Sequence, residues 1–141
     1  MHKMTEKQFL ENMHASLERQ RHFRENKKDL DEVMEFTADI LFEPKTEIKL
    51  LTLFQDKCFS RFPHKQLPFF TDDKTSNDRN NDRRQMRAFQ KRDAEDCMNE
   101  NKYACVMVAF MDTMLSKMRT DNVPARELAA YERYSLSLLA S

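Results

Sequence analysis

Apolar residues recur along this chain at intervals of three and four, in groups separated by prolines and polar runs. That spacing predicts amphipathic helices, because residues three and four apart share one face of a 3.6-residue spiral. The first is expected to open at Thr5, with Gln8 three residues on in capping-box position, and to run to about Asn26. Phe9, Leu10, Met13 and Leu17 form its narrow apolar stripe. Its second half is basic and polar, through Arg19, Arg21, His22, Arg24, Lys27 and Lys28, and has little to bury. That half is expected to project from a bundle or to meet a partner.

Asp29 and Glu32 repeat the capping signature ahead of a broad face of Leu30, Val33, Phe36, Thr37, Ile40 and Leu41, which Pro44 ends. A third helix follows Pro44 and stops at Pro63. Its Ile48, Leu51, Phe54, Cys58, Phe59 and Phe62 cover about half the circumference at 100° per residue. Between Pro63 and Asp82 the periodicity dissolves. There Pro68, Phe69 and Phe70 read as a hydrophobic plug, and residues 71–81 as a polar loop. A weakly amphipathic fourth helix is expected from roughly Asp82 to Asn99.

The clearest pattern lies between Asn101 and Thr120, where Tyr103, Met107, Phe110, Met111, Met114, Leu115 and Met118 form a wide apolar arc. Cys105, Ala109 and Ser116 line the other side with small side chains that allow a second helix to approach closely. A last helix begins near Pro124, a residue suited to a first turn, and carries Leu128, Tyr131, Leu138 and Leu139. The expected fold is an all-α, single-domain bundle of five to six helices over residues 1–141, packed around the third and fifth.

Composition sharpens this picture. The 141 residues include no glycine, where average usage of about 7% would supply roughly ten. Glycine is the residue for positive φ, two-residue hairpins and close backbone approach to phosphate. Its absence therefore argues against tight β-architectures and removes Gly-rich nucleotide loops. The 24 basic and 24 acidic residues balance, which argues against a dedicated nucleic-acid binder. No apolar run approaches a membrane span, and no secretory leader pattern opens the chain. Cys58, Cys97 and Cys105 read as free thiols of a reducing compartment, so the expected setting is the cytoplasm or nucleus.

Candidate chemistry is sparse. Glu11 and His14 have the Glu-x-x-His spacing of di-iron bundles, but that chemistry needs a second such pair and there is none. His14 and His22 lie two turns apart, too far to share an ion on one helix, and Cys97 and Cys105 are too widely spaced for a zinc motif. No serine stands in a Gly-flanked elbow. The expectation is a non-catalytic chain without metal or cofactor.

Broad apolar faces instead point to a protein-interaction module, an adaptor, regulator or complex subunit that binds another protein or a second copy of itself. Its expected contact residues are Phe9, Met13, Leu17 and Phe23 on the first helix, Phe69 and Phe70 in the plug, and Tyr131, Tyr134 and Leu138 on the last. The Met107, Met111, Met114 and Met118 stripe reads as soft core filling that also suits the floor of a groove. The alternative is a helical RNA- or DNA-binding protein. It would use basic clusters at 19–28 and 79–92, through Arg19, Arg21, Arg24, Arg83, Arg84, Arg87 and Lys91.

Overall fold

The computed structural model describes residues 3–43, 46–62 and 102–140. Among them are six helices and no strand: α1 (Glu6–Glu18), α2 (Arg21–Glu25), α3 (Lys27–Leu41), α4 (Glu47–Arg61), α5 (Lys102–Thr120) and α6 (Ala125–Ala140). The all-α bundle is as expected. The expected plug, the polar loop and the helix from Asp82 to Asn99 lie outside the described residues.

Helix α1 starts as its sequence predicts. The Gln8 amide donates to the Thr5 hydroxyl while the Thr5 amide donates to the Gln8 side chain, a closed capping box. It does not run to Asn26, however. Gln20 adopts an extended backbone, and its carbonyl accepts from the Phe23 and Arg24 amides to start the short α2. In a continuous helix Phe23 would lie about 80° from the centre of the Phe9, Met13 and Leu17 stripe, beyond its edge. The break turns its ring into the core, where it is fully buried.

Helix α3 begins three residues before the expected start, with its N-cap at Asn26 instead of Asp29. The Asn26 side-chain amide turns back to the His22 carbonyl and leaves α3 without a side-chain cap. Asp29 does not cap the helix, because its carboxylate is taken by His22 and Lys102. In α4 the cap is Thr46, whose hydroxyl accepts the Lys49 amide. Its buried stripe is Leu50, Leu51, Phe54 and Cys58, with Phe62 just beyond. Ile48 and Phe59, expected on that face, are instead 50% and 53% exposed. The stripe is narrower than the sequence suggested, since both residues sit roughly 100° or more from its centre.

Helix α5 is the axis of the fold. It packs against α1, α4 and α6, and nearly every side chain from Tyr103 to Leu115 is buried. Thr113 donates to the Ala109 carbonyl at 2.8 Å, so its hydroxyl is satisfied inside the core. Helix α5 ends in a Schellman motif: the Val123 amide donates to the Met118 carbonyl and the Asn122 amide to that of Arg119. Asn122, at φ 61°, takes the left-handed position a glycine would usually hold. In a glycine-free chain, asparagine is the next most tolerant residue there.

Five phenylalanines run through the core as one line. Phe9 meets Phe110 edge-on at 5.5 Å, Phe110 stacks on Phe54 at 3.8 Å, and Phe54 meets Phe36 at 5.1 Å. Phe36 then contacts Phe62 at 6.1 Å. The line joins α1, α5, α4 and α3. Replacing Phe110 with alanine removes the ring shared by two of these contacts and leaves a cavity. We expect Phe110→Ala to cost about 3–5 kcal/mol, read as a lower urea midpoint at unchanged slope. Phe42→Ala, at an exposed site, should stay within about 0.5 kcal/mol.

Candidate functional site

The expected contact residues lie mostly in the core. Phe9, Met13, Leu17, Phe23 and Tyr131 are fully buried within the protomer and cannot form a contact surface. The apolar face of α1 is spent on α5 and α3 and that of α6 on α5 and α4, which a one-dimensional pattern cannot distinguish from a face awaiting a partner. Leu138 is partly buried and packs on the core, and the half-buried Tyr134 shares a hydrogen bond with the Thr52 hydroxyl. Phe69, Phe70, Arg83, Arg84, Arg87 and Lys91 lie outside the described residues. Arg19, Arg21 and Arg24 are exposed, and Arg21 is paired with Glu25 at 3.1 Å.

The apolar surface that remains was missed. Phe42 is 75% exposed at the end of α3, and Ile48 stands in the first turn of α4, so the two flank the α3–α4 connection. A signal was present for Phe42. At 100° per residue it falls opposite the buried face of Leu30, Val33, Phe36 and Ile40. Phe59, also exposed, keeps an edge-on contact to Tyr103 at 5.9 Å.

Two groups of charges tie the helices together. Asp29 accepts from Lys102 at 3.0 Å and lies 2.7 Å from His22 Nε2, which must carry the proton because a carboxylate only accepts. Lys102 also sits over the Phe62 ring at 5.6 Å, so this group joins α2, α3 and α5 beside the end of α4. In the second group Lys117 donates to Glu47 at 3.1 Å and to Asp121 at 2.6 Å, while the Met4 amide donates to Asp121. The hydrogen bonds from Lys102 and His22 hold the Asp29 carboxyl below the usual carboxylate range. Burial pushes Asp121 upward, but the bonds from Lys117 and Met4 outweigh it and leave that carboxyl lowered as well.

The remaining reactive groups are subdued. Burial pushes the Cys58 thiol well up, away from the thiolate that nucleophilic or metal chemistry needs. The Tyr103 hydroxyl is likewise pushed up, to about 12. His14 pairs with Glu18 at 3.6 Å, and Glu11 is exposed. Among the described residues no group of three or more His, Cys, Asp or Glu side chains is placed to hold a metal. Cys58 is a free thiol, as expected, but the buried Cys105 is disulfide-bonded and corrects the expectation of three free thiols. Cys97 lies outside the described residues. Pairing depends on which sulfurs packing brings within bonding distance, and spacing alone does not reveal it.

Asp29 and Asp121 give the fold an acid limit. A carboxyl lowered by folding stabilises above its unfolded value of about 3.9, and that stability is lost as pH falls through the folded value. We therefore expect the urea midpoint to fall below about pH 4. Asp29→Asn should be less stable at neutral pH and show a smaller acid dependence, measured by urea titrations at several pH values.

Among the described residues, no helix is long and apolar enough to cross a membrane. No protein-family model, no curated protein and no solved structure matches this chain.

Proposed function

We propose that this chain is a non-catalytic protein-interaction module, an adaptor, regulator or complex subunit that binds another protein or a second copy of itself. The observation that carries this reading is the exposure of Phe42 and Ile48 on either side of the α3–α4 connection. Among the described residues most large apolar side chains are buried, so two left in water on either side of one short connection offer a surface for use outside the protomer. Covering a side chain of this size is worth about 1.5–3 kcal/mol, which makes the pair an anchor for a partner. The contact surface proposed here thus replaces the one expected on α1 and α6. A setting in the cytoplasm or nucleus belongs to the same reading. The free thiol of Cys58 supports it and the disulfide at Cys105 weakens it.

Nucleic-acid binding is the competing outcome. Arg19, Arg21 and Arg24 are exposed, but Phe23, the aromatic residue among them, is buried and has no face to stack on a base. Cross-linking mass spectrometry in the native extract separates the two. A protein partner should cross-link near the α3–α4 connection and be lost from a Phe42→Ser/Ile48→Ser chain that keeps its helical dichroism. An equal cross-link yield from the variant would defeat the reading. So would retardation of RNA or DNA that disappears at physiological salt.

A further inference from the structure

The outer face of α4 carries a stripe that the protomer does not close. Ile48, Thr52, Gln55 and Phe59 follow one another at intervals of four, three and four. At 100° per residue they stay within about 60° of arc, the spacing of the a and d positions in a two-helix seam. The buried stripe of Leu50, Leu51, Phe54 and Cys58 lies to one side of it. Tyr134 bonds Thr52, and Tyr103 meets the Phe59 ring edge-on. Even so, Ile48 and Phe59 at the two ends are half-exposed, with Thr52 and Gln55 half-buried between them.

Charge decides what fits this face. Helix α4 carries Glu47, Lys49, Asp56, Lys57 and Arg61. Three of them are engaged within the protomer: Glu47 by Lys117, Lys57 by Glu43 and Arg61 by Glu32. Lys49 and Asp56 are exposed and have no ion-pair partner among the described residues. Neither has an opposite charge three or four residues away on α4. Seven residues separate the two, about 10 Å of rise, so they do not pair with each other in one copy. Both flank the stripe on its side away from the core, where the e positions of a seam lie.

This arrangement is its own complement. A two-fold axis midway between Thr52 and Gln55, with the two α4 helices antiparallel, sets Ile48 of each copy against Phe59 of the other. Thr52 then opposes Gln55, and Lys49 comes within reach of Asp56, each contact being made twice. A parallel pair would bring Lys49 level with Lys49 and Asp56 level with Asp56, so charge selects the antiparallel register. We propose that this protein self-associates as a dimer through antiparallel α4 helices in that register. The proposal rests on the interaction-module reading and names its partner, a second copy. The central Thr52 and Gln55 layer is polar, which fixes the register and keeps the dimer weak.

Sedimentation velocity of the full chain over a range of concentrations tests this. Lys49→Glu and Asp56→Lys each set like charges together twice and should raise the dimer dissociation constant about tenfold or more. An equal mixture of the two variants restores unlike charges at both contacts, as does the single chain Lys49→Glu/Asp56→Lys. Both should return close to the parent value. The two positions are exposed and unpaired in the protomer, and circular dichroism checks that the variants keep their helices. The proposal fails if the parent chain is monomeric up to about 1 mM, if either single variant dimerises like the parent, or if the mixture and the double variant do not recover. A monomeric chain that still cross-links a different protein near the α3–α4 connection overturns the dimer alone and leaves the interaction-module reading in place.

Discussion

The stack of Phe54 on Phe110 is the contact on which the arrangement of the other helices depends. It joins α4 to the central α5, and each ring then passes the contact onward, Phe110 to Phe9 on α1 and Phe54 to Phe36 on α3. Ring pairs have preferred distances and angles, so a line of five rings constrains how these helices sit against one another. Just past the α1–α2 break, Phe23 is buried in the same core.

Without glycine, the chain meets its sharp backbone requirements by other means. Asn122 supplies the left-handed residue after α5, and Gln20 supplies an extended link between α1 and α2. The ends so formed are fastened by ionic groups. Lys102 and His22 converge on Asp29 at the start of α5, and Lys117 joins Glu47 to Asp121 at its end. These groups are only partly exposed, so water and salt screen them less than free surface pairs. The central helix is therefore held by rings along its length and by charge at both ends.

A core closed this completely leaves little apolar surface for other work. Phe42 and Ile48 stand out because most large apolar side chains among the described residues are buried. The proposed contact uses apolar side chains that folding leaves exposed, Phe42 and Ile48 beside the α3–α4 connection.

Helical class, the Thr5 cap, the central place of α5 and the start of α6 after Pro124 were legible in the sequence, because each is set by local spacing or by one residue's own stereochemistry. Whether an apolar stripe faces a neighbour or a partner was not legible. Phe9, Met13 and Tyr131 carry the same periodicity in either case, and only the packing of α1 and α6 on α5 assigns them to the core. The charged residues followed the same division. The local pattern of Asp29 and Glu32 resembles a helix start, yet Asp29 bonds to a lysine 73 residues away. Periodicity tells which residues share a face. What that face meets is decided by contacts between segments far apart along the chain, and spacing along the sequence does not encode those distances.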